Sequence, residues 1–171
     1  MLFAGKQAEF DGVVRAFSVE LYRYAYGLCR DRFVAEDLVQ DTFTRAWRAW
    51  DKLEDDKAAR AWLYTILRNE HARLFERKRL DHDEDQDLDE IPDLSSGANP
   101  LPGLEVRDAI RALPEGYREP LLLQVLGGFS CAEIANVMRI SEGAVMTRLT
   151  RARIAFRQLP GWERQMRKKS S

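Results

Sequence analysis

Cysteine, histidine and long apolar runs are all scarce in this sequence, and each scarcity closes off a class of function. The two cysteines, Cys29 and Cys131, lie far apart, and neither belongs to a CxxC pair. A zinc or redox site therefore lacks its ligands, and both thiols read as small buried apolar groups. The two histidines, His71 and His82, stand alone without metal-ligand spacing and read as structural or surface residues. No run reaches the roughly 18 apolar residues of a membrane span, so no direct membrane insertion is expected. The opening Met1-Leu2-Phe3-Ala4-Gly5-Lys6 has neither the basic start nor the apolar stretch of an export signal, which gives an expected cytoplasmic location. A phosphate-cradling glycine loop and a nucleophile–base pair at recognisable spacing are also missing. Asp81, Asp83 and Asp85 alternate as in a calcium loop, but Gln86 replaces the required glycine and Pro92 the closing glutamate. The expectation is a binding protein and not an enzyme, with no cofactor and no metal.

What the sequence does have is segregated charge. The net charge of −1 is composed of +2 over residues 1–80, −8 over residues 81–104 and +5 over residues 105–171. Basic segments on either side of an acidic one suit a protein that meets a polyanion in two places. The acidic run leads into Ser95-Ser96-Gly97-Ala98-Asn99-Pro100, where like charges, few apolar groups, Pro and Gly all oppose regular structure. The chain thus divides into a domain at 1–80, a flexible acidic linker at 81–104 and a second domain at 105–171 that ends in a basic tail.

Both outer segments carry helical periodicity, and the expected fold class is all-α. Phe10, Val13, Val14, Phe17, Leu21, Tyr24 and Leu28 recur at three- and four-residue steps. A second helix is expected from about Ala35 to Leu53, with Val39, Phe43, Ala46, Trp50 and Leu53 inward and Asp37, Gln40, Asp41, Arg45 and Arg48 outward. A third covers roughly Ala58 to Leu80, burying Trp62, Leu63, Ile66, Leu67 and Leu74. Beyond the linker, Val106, Ala109, Ile110 and Leu113 mark a short helix stopped by Pro114, and Arg118 to Leu126 another, ended by Gly127-Gly128. Ser130-Cys131-Ala132-Glu133 has the capping-box pattern, and the helix it opens turns Ile134, Ala135 and Met138 inward. Ser141 can cap a last helix running to about Leu159.

Two of these helices joined by a tight turn, the second one basic, suggest a DNA-binding helix-turn-helix. Val145, Leu149, Ala152 and Phe156 form the last helix's buried stripe, leaving Glu142, Met146, Thr147, Thr150, Arg151 and Arg153 outward. The alternative at this point is a plain helical hairpin with a solvated basic face. In the third helix, Trp62, Tyr64, His71 and Phe75 interleave with Arg60, Arg68, Arg73, Arg77, Lys78 and Arg79. Aromatic faces can stack on unpaired bases while cations hold the backbone. The competing reading is a core Trp beside a solvated basic face.

Four motifs resemble one family, the extracytoplasmic-function (ECF) sigma factors of bacterial RNA polymerase. Ala35-Glu36-Asp37-Leu38-Val39-Gln40-Asp41-Thr42-Phe43-Thr44-Arg45-Ala46-Trp47 is similar to their polymerase-binding helix, and Trp62-Leu63-Tyr64-Thr65-Ile66-Leu67-Arg68-Asn69 to the start of their promoter-melting helix. Leu113-Pro114-Glu115-Gly116-Tyr117-Arg118-Glu119 and Gly128-Phe129-Ser130-Cys131-Ala132-Glu133-Ile134-Ala135 resemble the opening of their second domain. Ile140-Ser141-Glu142-Gly143-Ala144-Val145 through Arg153 resembles their recognition helix.

The resemblance implies a region 2-like domain at 1–80 and a region 4-like domain at 105–171. It implies that Asp37, Gln40 and Asp41 dock on the clamp helices of the polymerase β′ subunit. Trp62, Asn69, Arg73, Arg77 and Arg79 would then meet the minus-ten element, with Asn69 facing a flipped base. Ser141, Met146, Thr147, Arg148, Thr150 and Arg151 would meet the minus-thirty-five element. The implied partners are core RNA polymerase, through the β′ clamp helices and the β flap, promoter DNA, and an anti-sigma factor. Met146 departs from the family, which usually has Lys or Arg there; a thioether can touch a thymine methyl instead. Two other readings compete: an ordinary helix-turn-helix regulator, and a small nuclease holding metal on the acidic run.

Overall fold

The structure, a computed structural model, describes residues 2–79 and 106–158. The linker, His82 and the basic tail lie outside the described residues, as do the side chains of Phe75, Arg77, Lys78 and Arg79. All regular structure among the described residues is helical. Three helices, α1 (Leu2–Cys29), α2 (Arg32–Arg48) and α3 (Ala59–Arg79), precede the linker. Four follow it: α4 (Val106–Ala112), α5 (Glu115–Val125), α6 (Cys131–Met138) and α7 (Glu142–Arg157).

Local chemistry explains the boundaries. Arg30 ends α1 in the left-handed conformation at φ 58, with its N–H bonded to the Tyr26 carbonyl at 2.8 Å. One residue later, the Asp31 carboxylate accepts the N–H groups of Phe33 (2.8 Å) and Val34 (3.1 Å) and so caps α2. That cap starts α2 three residues before the position expected from apolar spacing. The helix also stops earlier, at Arg48, and Trp50 lies in a 3-10 turn over Trp50–Lys52. From there Trp50 packs edge-on to Phe10 at 5.2 Å, and Phe10 also meets Phe43 and Trp47. Extended Pro114 caps α5, which therefore begins at Glu115 and not at Arg118.

The expected inward residues are mostly inward. Leu63 and Leu67 of α3 are fully buried, as are Val145, Leu149 and Ala152 of α7, with Phe156 beside them. Leu74 is a correction: it lies on the exposed side of α3 near its end. Cys29 and Cys131 are half-buried, less enclosed than expected, because each sits at a helix end; the Cys29 thiol donates to the Asp31 carbonyl at 3.3 Å. The helix-turn-helix forms as its caps dictate. Glu133 N–H bonds Ser130 Oγ at 3.2 Å, and Ser130 N–H bonds the Glu133 carboxylate at 3.4 Å. Arg139 turns the chain at φ 55, and Ser141 Oγ accepts the Ala144 N–H at 3.1 Å to open α7.

The two halves share one core. α5 packs on α1, and α6 packs on α3. At the first contact, a Cβ on Gly27 would stand 2.7 Å from Leu122 Cδ1, so the missing side chain lets α5 come close to α1. At the second, the Phe129 ring meets Tyr64 edge-on at 5.0 Å.

Candidate nucleic-acid interfaces

On α7, Met146, Thr147, Thr150 and Arg153 are exposed, while Arg148 and Arg151 are half-buried. Arg153 donates to the Gln124 side chain at 3.0 Å. The face opposite the buried stripe therefore stands open along three turns, and an α-helix of this width fits the major groove. Ser141 is exposed at the N-terminal end of α7, with its hydroxyl oxygen engaged as the cap.

On α2, Asp37, Gln40 and Asp41 are all exposed and fall on one face. Phe33 stands at the head of that face, 75% exposed. Ala35, Leu38, Thr42 and Ala46 turn inward, with the Thr42 hydroxyl tied to the Leu38 carbonyl at 2.6 Å. The helix thus presents acid and amide groups to solvent on one face.

Between α2 and α3 lies an open cleft of about 310 Å³, walled by Arg45, Arg48, Trp62, Ile66, Asn69 and Arg73. Trp62, Ile66, Asn69 and Arg73 succeed one another by four, three and four residues, which places them on one stripe of α3. The cleft brings together three of the five residues expected at minus-ten: Trp62, Asn69 and Arg73. Arg77 and Arg79 sit on the last turns of α3, with side chains outside the described residues. Sequence reading placed Arg45 and Arg48 on the outer face of α2 and missed their part in this cleft. Their position one turn apart at the α2 C-terminus, facing the start of α3, was the available signal.

The opposite stripe of α3 carries Arg60, Tyr64, Arg68 and His71, and it is turned into the contact between the halves. In this arrangement these residues face the other half of the chain and not solvent. Arg68 Nε lies 2.5 Å from Glu119 Oε1, which also accepts the Tyr24 hydroxyl at 3.2 Å. His71 Nδ1 lies 3.3 Å from Glu115 Oε1. Arg60 pairs with Glu20 through its Nε and Nη2, each at 3.0 Å, donates to the Gly127 carbonyl and stacks over Phe129 at 4.6 Å.

Burial governs the electrostatics here. It raises the Tyr24 hydroxyl pKa well above its ordinary value, with the charge of Glu119 adding to the shift. The Glu115 carboxyl is raised by burial first and then by Glu119. Arg118 is lowered by burial and by nearby Arg30. Its guanidinium donates to the carbonyls of Arg111 (3.3 Å), Leu113 (3.5 Å) and, across the contact, Leu28 (3.5 Å). α1 has no basic residue in its own last turn, so Arg118 supplies the positive charge that a helix C-terminus favours. Its buried Nε has no hydrogen-bond partner among the described residues, and such a gap typically costs about 1–3 kcal/mol. Among the described residues no His, Cys, Asp and Glu cluster could hold a metal, and no helix is long and apolar enough to cross a membrane.

Comparison with known proteins gives a consistent picture. Residues 13–80 match the Sigma-70 region 2 family, and residues 103–156 match Sigma-70, region 4. The ECF RNA polymerase sigma factor SigL of Mycobacterium tuberculosis is 35% identical over 144 residues, covering 80% of each chain. Among solved structures, the sigma factor RpoE of Bartonella quintana, bound to the anti-sigma factor NepR, aligns with a TM-score of 0.69 at 28% identity. That alignment covers 88% of this chain and 95% of RpoE. CnrH, known from Cupriavidus metallidurans and solved with the cytosolic domain of CnrY, aligns with a TM-score of 0.65 at 29% identity. There the coverage is 89% of this chain and 87% of CnrH.

Proposed function

The chain belongs to the ECF RNA polymerase sigma factors, and on that premise we propose how its surfaces divide the work of promoter-specific initiation. The α2 face bearing Asp37, Gln40 and Asp41 docks on the clamp helices of the core polymerase β′ subunit. The α2–α3 cleft, continued by Arg77 and Arg79, takes the unpaired minus-ten strand. Asn69 reads an extruded base there, because an amide satisfies a donor and an acceptor on one base edge. Trp62 offers a stacking face, and Arg73 holds the backbone. The exposed face of α7, with Met146, Thr147, Arg148, Thr150 and Arg151, reads the minus-thirty-five duplex from the end capped by Ser141, while the region 4 half rests on the β flap.

The division 1–80, 81–104 and 105–171 then has a functional sense, with one promoter element to each domain. An anti-sigma factor holds the protein in reserve, as NepR and the CnrY domain bind the two structural relatives. The family is not an enzyme class, and its work is done in the cytoplasm. One observation carries the reading: Trp62, Asn69 and Arg73 share one wall of a cation-lined cleft. An ordinary helix-turn-helix regulator leaves that wall, and the region 2 match, without a use.

Geometry adds a requirement. Elements centred about 25 base pairs apart are separated by about 85 Å of duplex, at about 3.4 Å per pair. A compact body of about 130 residues has a radius of gyration of only about 14 Å. The closed arrangement therefore cannot reach both elements, and α5–α6 must part from α1–α3 when the holoenzyme engages a promoter. Residues 80–105 can span about 85 Å at full extension, at about 3.3 Å per residue, which is enough to allow it.

The test is run-off transcription from a pooled promoter library, with core polymerase alone and with the protein added. Discrete start sites that depend on the protein, sharing one minus-ten and one minus-thirty-five motif, are the expected result. Absence of new starts, with duplex binding retained, would replace this reading with the ordinary regulator.

A further inference from the structure

Glu70 stands next to Asn69 on α3, and its side chain is only 13% exposed. Its Oε1 lies 2.5 Å from Arg45 Nε on α2 and 3.5 Å from Arg73 Nη1, one turn further along α3. The two guanidinium groups are about half exposed, at 48% and 57%, so they cover the carboxylate from the solvent side. Glu70 also borders two hollows at once. One is the cleft walled by Trp62 and Asn69. The other, about 220 Å³, is floored by Leu38 and Leu74 and reaches Asp41. A single carboxylate thus lies beneath two of the cations that a single strand would meet, and among the described residues it is the one acid lining the larger cleft.

An Arg held by a carboxylate has a fixed position and a reduced net charge, whereas a free Arg on a flexible stem grips any phosphate within reach. Phosphate contacts raise affinity for every sequence alike and carry no base information. We propose that Glu70 is a positioning residue for minus-ten selectivity. It restrains Arg45 and Arg73, so the strand is held weakly by its backbone and retention depends on the base at Trp62 and Asn69. This deepens the minus-ten reading proposed above and rests on it.

A plain tie between α2 and α3 would use the same contacts, so the test must separate charge restraint from stability. Holoenzyme assembled with the wild-type chain, Glu70→Gln or Arg45→Gln is bound to fork-junction DNA with a randomised single-stranded minus-ten segment. Enriched sequences and salt dependence are then read. Glu70→Gln frees two cations: affinity for the unselected pool rises about threefold or more, and the slope of log affinity against log salt steepens by about one phosphate equivalent. Its enriched motif loses information. Arg45→Gln breaks the same pair but removes a cation and leaves Arg73 held by Glu70, so the salt slope becomes shallower while the enriched motif keeps its information.

Slopes that move in the same direction for both variants would mean a structural tie only and would overturn the proposal. An unchanged motif in Glu70→Gln, with a clear wild-type motif, would overturn it while leaving the minus-ten reading intact. A wild-type holoenzyme that enriches no motif would bring down both.

Discussion

Arg68 on α3 and Glu119 on α5 meet at 2.5 Å across the boundary between the two halves, and the same carboxylate oxygen accepts the Tyr24 hydroxyl from α1. One side chain of the region 4 half therefore engages two helices of the region 2 half. Under the proposed opening, promoter engagement would break this contact, and its strength would set how readily the protein opens.

Removing one partner of a mostly buried pair leaves the other charge unpaired, at a cost of about 3–5 kcal/mol for full burial. Arg68 is 24% exposed and Glu119 9%, so about 2–3 kcal/mol is expected for Arg68→Ala. The closed population should fall, raising the radius of gyration measured by small-angle scattering. A scattering profile identical to wild type would remove this pair from the closing contact.

Glu115 makes closing sensitive to pH. Its carboxyl is raised in the closed arrangement by burial and by Glu119, and regains its ordinary value once exposed. A raised carboxyl favours the closed form fully below its ordinary pKa, and that contribution is lost as pH rises through the raised value. Labels on the two halves should move apart over that interval and stay constant above it. Glu115→Gln, uncharged throughout, should flatten the profile; an unaltered profile would assign the titration to another group.

Asp41→Ala should weaken binding to core polymerase roughly tenfold, the scale of a lost interfacial charge contact. Because Asp41 is exposed, the melting temperature should stay within a degree or two. Titration of labelled core polymerase checks both points. Full affinity in the variant would exclude Asp41 from the docking face.

Met146→Lys restores the side-chain class common in the family at an exposed point of α7. One new phosphate contact should steepen the salt dependence of promoter binding by about 0.9 in the log–log slope. Discrimination among minus-thirty-five sequences should improve little, since a phosphate contact carries no base information. A slope equal to that of wild type would put residue 146 off the DNA.

Much of this architecture was legible in the sequence, and the exceptions share a physical cause. Spacing alone located the buried stripe of α7, and Ser130 with Glu133 announced the cap of α6, because both depend on residues within a few positions of one another. The start of α2 was less visible, since Asp31 acts through a side-chain bond that apolar periodicity does not record. Trp62, Asn69 and Arg73 could be named from the motif, whereas Arg45 enters their cleft only through the packing of α2 on α3. Hardest to see was the closed contact. Arg60, Tyr64, Arg68 and His71 have the alternation of rings and cations expected of a nucleic-acid platform, and a polar domain interface has the same composition. What separates the two readings is Glu119, fifty-one positions from Arg68, at a range where sequence pattern carries no information about pairing.

The Gly127–Gly128 turn has a consequence for how such a protein can diverge. A Cβ on Gly127 would lie 2.6 Å from both the Leu123 carbonyl oxygen and the Phe129 ring, so the peptide is confined to glycine. That peptide sets the approach of α6, and hence of α7, and its carbonyl is also held by Arg60 from the other half. If the halves part as proposed, a change in this turn that re-aims α7 would also alter the Arg60 contact between them. The direction of α7 and the ease with which the halves part would then depend on one position, coupled through Arg60 and its partner Glu20.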